Sequence, residues 1–119
     1  MTQLSVHTRT LPCGPVIEMA GELDHHSAPQ VSEILRGLTI DAGQQLLVDL
    51  GGLTFCDSSG ITVLIAARNH AVAAHAAIVL IAVPDRVRRI FHIVGLEQVF
   101  PAYSTVEDAE KAWATSPAS

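Results

Sequence analysis

Aromatic residues are scarce in this chain: three phenylalanines, one tyrosine and one tryptophan. Yet 49% of its 119 residues are hydrophobic, so its core must be built from aliphatic side chains and alanine. That length is enough for one domain with a real core and too short for two. Lysine is scarcer still. Lys111 is the only one among seven Lys and Arg, which face twelve Asp and Glu for a net charge of −5. Binding to nucleic acid rests on neutralising phosphates, and this balance argues against it. The one basic cluster is Arg86, Arg88 and Arg89. The two cysteines, Cys13 and Cys56, form no C-x-x-C pair and no disulfide framework, which fits reduced thiols in a cytoplasmic protein. No apolar run reaches the roughly 18 residues of a membrane span. The N-terminus, MTQLSVHTRT, has no apolar signal core.

The signatures of catalysis are missing as well. A phosphate-cradling G-x4-G-K-[ST] loop is absent, and the single lysine lies near the C-terminus. No G-x-S-x-G elbow exists, because Phe55, Cys56 and Asp57 precede Ser58 and Ser59. A triad of Ser58, His25 or His26, and Asp24 has nothing to order it, and no oxyanion hole except a helix N-terminus. Two adjacent histidines point apart on a helix, and no Cys-rich or His-x3-His partner follows, so His25 and His26 make a poor zinc site. The reading is therefore no enzyme, no catalytic residue, no metal and no cofactor.

What is there centres on residues 45–74. Leu46-Leu47-Val48-Asp49-Leu50 reads as a buried strand, and Gly51-Gly52 breaks it. Leu53 to Cys56 is a short extended approach to Asp57-Ser58-Ser59-Gly60. The period then becomes helical, with Val63, Leu64, Ala67, Ala71 and Ala74 on one side. On that wheel Ile61 and Ile65 fall toward the rim, with Thr62 and Asn69 outside. Asp57, Ser58 and Ser59 are all good N-cap types, and one of them opens the helix where unpaired N–H groups and the positive end of the dipole lie. Cys56 beside them reads as a small buried hydrophobe rather than a redox sensor.

The rest falls into place around this unit. Leu4 to Thr10 alternates as a strand, residues 12–15 turn, and Val16 to Gly21 is its hairpin partner. Asp24 or Ser27 caps a helix from about Ala28 to Leu38. Ala77 to Val83 is a strand buried on both faces. A helix from Arg86 to Val94 follows, with Val87, Ile90, Phe91 and Val94 inward. Val99-Phe100 reads as a short last strand, and Val106 to about Ala114 as a last helix with Thr105 and Asp108 in a weak capping box. Residues 1–115 form the domain and 116–119 a frayed tail. The order β-β-α-β-α-β-α-β-α implies an α/β fold with a mixed sheet and crossover helices.

Val48-Asp49-Leu50, Leu53-Thr54-Phe55 and Asp57-Ser58-Ser59-Gly60-Ile61 together resemble the core motif of STAS domains, and more narrowly that of bacterial anti-sigma factor antagonists. Gly21-Glu22-Leu23-Asp24 resembles the G-x-L-D at the end of the second strand of that family. The segments Ile93 to Phe100 and Thr105 to Ala109 resemble its C-terminal half, so the likeness covers nearly the whole chain. It implies a mixed sheet of about five strands with about four helices mainly on one face. It also implies that Ser58, directly after the aspartate, is phosphorylated by a partner, an ATP-binding anti-sigma factor serine kinase. Asp24, Asp57, Ser59 and Gly60 would border the phosphosite, and Ile61, Thr62, Ile65 and Asn69 would meet the partner. Unphosphorylated protein would hold the anti-sigma factor and free the sigma factor, and a phosphoserine phosphatase would reset it. The domain would act as a monomer or weak dimer. Two rivals stand beside this. One is a STAS scaffold or nucleotide-binding module in a stress-signalling or transport complex. The other is a receiver with a phosphoacceptor at Asp49, which would need a paired acidic site and a lysine that this chain does not supply.

Overall fold

The computed structural model describes residues 3–114. The expected tail, 116–119, lies outside them. Strands β1 (Ser5–Leu11) and β2 (Gly14–Leu23) form the antiparallel hairpin, and helix α1 (Ala28–Arg36) follows. Then come β3 (Gln45–Cys56), α2 (Ser58–Ala73), β4 (Ala77–Ile81), α3 (Asp85–Val94), β5 (Ala102–Tyr103) and α4 (Val106–Ala114). The sheet order is β1-β2-β3-β4-β5, with every pair after the hairpin parallel. Successive crossovers thus advance in one direction. Because such crossovers are right-handed, they deliver their helices to one face of the sheet. Val31 and Leu35 of α1, Val63, Leu64 and Ala67 of α2, and Val87 and Phe91 of α3 pack there against Leu46, Val48, Leu50 and Leu80.

Only α4 crosses to the other face, where Val106 and Ala109 cover Val16, Leu47, Val79 and Ile81. Buried Gln45 anchors it, its side-chain amide donating to the Ala109 carbonyl at 3.2 Å. Trp113 Nε1 donates to the Gly43 carbonyl at 2.9 Å. The alternation of β3 and β4 between these two clusters explains their unbroken apolar runs.

Three expectations are corrected. Gly51-Gly52 does not break β3, which runs twelve residues to the candidate site. β3 instead carries an extra residue relative to β2 between the pairs Glu18–Asp49 and Ala20–Gly52, and another between Gly21–Leu53 and Glu22–Phe55. Glycine is needed at 52 because β2 and β3 close in there: an added Cβ would stand 2.7 Å from the Ala20 Cβ. The last strand is Ala102–Tyr103, not Val99–Phe100. Phe100 is spent on the core, its ring stacked on Phe91 at 5.5 Å, while Leu80 and Ala82 donate to the Pro101 and Tyr103 carbonyls. Val94 is exposed at the end of α3, not inward.

Candidate functional site

β2 and β3 end side by side, with Leu23 paired to Cys56. The Asp57 N–H donates to the Leu23 carbonyl at 3.2 Å, so the chain past both strands leaves from the same C-terminal end of these two parallel strands. That brings the Asp24 turn and the Asp57-Ser58-Ser59-Gly60 corner to the same end of the molecule. At the first, Asp24 Oδ1 accepts from the backbone N–H groups of His26 and Ser27, both at 3.0 Å. The Ser27 N–H is the main cause that lowers the Asp24 pKa below its ordinary value. Ser27 opens α1 but makes no side-chain cap, its hydroxyl donating instead to the Glu22 carbonyl at 2.8 Å. Asp24 is thus tied into a turn rather than presented to Ser58.

At the second corner the choice of cap is resolved. Asp57 is the N-cap of α2, in extended conformation, and its Oδ1 accepts from Ser59 N at 2.8 Å and Gly60 N at 3.2 Å. The carboxylate therefore fastens the helix start, not the Ser58 hydroxyl. Ser58 is the first helical residue and is exposed. Its carbonyl accepts from the Thr62 hydroxyl at 3.0 Å, whereas its own hydroxyl has no hydrogen-bond partner among the described residues. Ser59 is half-buried, held through its N–H rather than its hydroxyl, and lines a groove between α1 and α2 with His25 and Thr62. Gly60 is where the helix presses on the strand ends, since a Cβ there would lie 2.6 Å from Cys56 Sγ and 3.0 Å from the Leu23 carbonyl oxygen. Cys56 is buried, and desolvation, then the Asp57 charge, push its thiol up to about 11.

The remaining candidates separate. His25 and His26 lie against each other with ring centroids 4.0 Å apart and planes tilted by 37°, and neither bonds Ser58. Asp49 lies mid-strand, its carboxylate taken by the Gly51 N–H at 2.9 Å. On α2, Thr62 and Asn69 are exposed and Ile65 is 37% exposed, but Ile61 is only 9% exposed and joins the core. The expectation that Ile61 belongs to the partner surface is therefore corrected. With Asp57 as cap, Ile61 closes the first turn, its N–H donating to the Asp57 carbonyl at 3.1 Å, and its side chain turns inward beside Gly60. Sequence reasoning also missed Phe55, which is 48% exposed beside the site. The extra residue in β3 next to it shifts the alternation, and no residue type announced that shift.

A mixed five-stranded sheet, crossover helices on one face, and a carboxylate-capped helix presenting an exposed serine define a small α/β module. The chain belongs to the STAS domain family: the family model described as "Mlab, STAS domain" matches residues 6–102. The anti-sigma-B factor antagonist of Listeria monocytogenes is 34% identical over 83 residues, 70% of this chain and 73% of that protein. An anti-sigma-factor antagonist (STAS) domain protein from Planctomyces limnophilus has a similar structure, with TM-score 0.80 and 20% identity over 92% of this chain and 98% of that one. So does the Bacillus cell fate determinant SpoIIAA in its phosphorylated form, with TM-score 0.66 and 23% identity over 90% and 97%.

Proposed function

We propose that this chain is an anti-sigma factor antagonist that switches partners by phosphorylation of Ser58. The observation that carries the reading is the exposed, unpartnered Ser58 hydroxyl at the first position of α2, with Asp57 already committed to the cap. A serine that capped the helix would have to give up that bond to react. The sequence relatives named anti-sigma-B factor antagonist support the same role. In the unphosphorylated state the tip of α2 and its outer face, with Thr62, Ile65 and Asn69, hold an ATP-binding anti-sigma factor and free the sigma factor. That partner supplies the Mg-ATP and the general base. Ser58 Oγ attacks the γ-phosphorus, the bond to ADP breaks, and the serine proton passes to the partner's base. A phosphoserine phosphatase reverses the step. The setting is the cytoplasm, and among the described residues no helix is long and apolar enough to cross a membrane.

The switch is electrostatic. Phosphate adds about −1.5 to −2 charges at pH 7. The N-terminus of α2 tolerates them, but the Asp57 carboxylate and the partner's nucleotide phosphates do not. Release therefore comes from charge in the interface, with little refolding. The test is phosphopeptide mapping after incubation with the source organism's ATP-binding anti-sigma factors. Phosphate is expected on Ser58, with Ser58→Ala binding as tightly as wild type and never released by ATP. Phosphate on Ser59 instead, or ATP-driven release of Ser58→Ala, would overturn the assignment.

A further inference from the structure

Beyond the pair Asp49–Ile81, β3 has no β4 neighbour. It continues to Cys56, with Ala82 against Gly51 and then Pro84 and the start of α3 alongside that edge. This cover is incomplete. A cavity of about 240 Å³ opens there, walled chiefly by Leu53, Phe55, Cys56, Val87 and Ile90, with Arg86 as its charged member. Arg89 lies one turn after Arg86, and Ile93, 79% exposed, one turn after Ile90. The result is a stripe of two exposed arginines and an isoleucine beside an apolar recess and a half-exposed phenylalanine. Neither Arg86 nor Arg89 has an ion-pair partner among the described residues. In a chain of net charge −5, α3 carries exposed Arg86, Arg88 and Arg89 against the single carboxylate of Asp85, a local excess of positive charge.

We infer that this face seats an acidic segment of the anti-sigma factor, with one apolar side chain in the cavity and carboxylates on Arg86 and Arg89. The inference rests on the antagonist reading. The recess is smaller than the roughly 300 Å³ at which small-molecule pockets begin, so it suits a side chain. Guanidinium groups match carboxylates bidentately, which a lysine would not do. A bilayer favours a protruding apolar face, whereas a recess accepts a knob. The chain's net charge repels nucleic acid. Phe55 precedes Ser58 by three residues, at most about 10 Å of chain, so a partner on the tip of α2 reaches this face without a second docking event.

The experiment is calorimetric titration of the full unphosphorylated chain with each ATP-binding anti-sigma factor of the source organism, purified singly. Arg86→Glu and Arg89→Glu are each expected to weaken binding at least fivefold and flatten its salt dependence, and Phe55→Ala at least threefold, with circular dichroism melts confirming that each variant folds. Arg9→Glu, the same charge change on the opposite edge strand, stays within twofold. If wild-type protein binds none of the factors, the antagonist reading falls and this inference with it. If wild type binds but the Arg86, Arg89 and Phe55 variants bind within twofold of it, this inference alone is overturned. Equal loss in Arg9→Glu overturns it too, by assigning the effect to net charge. So does retained factor binding by Arg89→Glu together with loss of either self-association or sedimentation with phosphatidylserine vesicles, which would give the face to a second copy or a lipid surface.

Discussion

Asp57 prepares Ser58 without touching it. By accepting from Ser59 N and Gly60 N, it closes the start of α2 and leaves the Ser58 hydroxyl unclaimed. Asp57→Ala should cost about 0.5–2 kcal/mol, the range for a lost N-cap, visible as a lower midpoint in urea. Ser59→Ala should stay within about 0.5 kcal/mol, because Ser59 is held through its backbone. The reverse ranking would identify Ser59 as the cap. Cys56 supplies a pH test. Its thiol is raised from 9.0 to about 11 in the folded chain. Between those values the unfolded chain has released a proton that the folded chain still binds, so this contribution is fully present below pH 9 and is lost as pH rises toward 11. Urea midpoints should fall over that interval more steeply in wild type than in Cys56→Ala. Parallel curves would show that the thiol is not desolvated as the structure has it.

At the scale of elements, α2 has two working faces separated by little sequence. Ile61 and Ile65 are one turn apart, yet one is core and the other rim. Ile61→Asp buries an unpaired charge and should cost at least about 2 kcal/mol, or prevent folding. Ile65→Asp should keep the wild-type melt within a few degrees but weaken anti-sigma factor binding by about tenfold, or about 1.4 kcal/mol. Wild-type affinity in Ile65→Asp would remove this face of α2 from the interface. β3 shows the same economy. Its first half is sandwiched between α2 and α4, while its second half, offset by extra residues, leads to the corner that carries Ser58.

At the scale of the molecule, one sheet direction puts three helices on one face and the Ser58 corner at the end of a central strand, with α4 sealing the other face. A charge added at that corner meets solvent and partner, not core. Ser58→Glu should therefore leave the circular dichroism spectrum and melt near wild type while weakening partner binding by about 1–3 kcal/mol, as one misplaced interfacial charge would. A Ser58→Glu protein that loses tertiary structure would point instead to a refolding switch.

The order of elements, the apolar central strands, the α2 helix and the Asp-Ser-Ser-Gly corner were legible in residue order because each rests on local physics: hydrophobic period, capping chemistry and turn residues. The identity of the cap was not, since Asp57, Ser58 and Ser59 are equally good candidates until the Leu23 carbonyl fixes where β3 stops. The inward turn of Ile61 follows from that cap and from the close approach at Gly60, both of which are contacts between elements. Phe55 was hidden for a similar reason: a bulge is a relation between two strands, and β3 carries no residue type that reveals where β2 falls out of step. Val99-Phe100 looked like a strand by composition, but Phe100 was worth more stacked on Phe91 in the core, leaving Ala102-Tyr103 to pair with β4. Local sequence thus determined which elements form and where a serine could be presented. Only packing across the sheet decided which side chains remain outside to meet a partner.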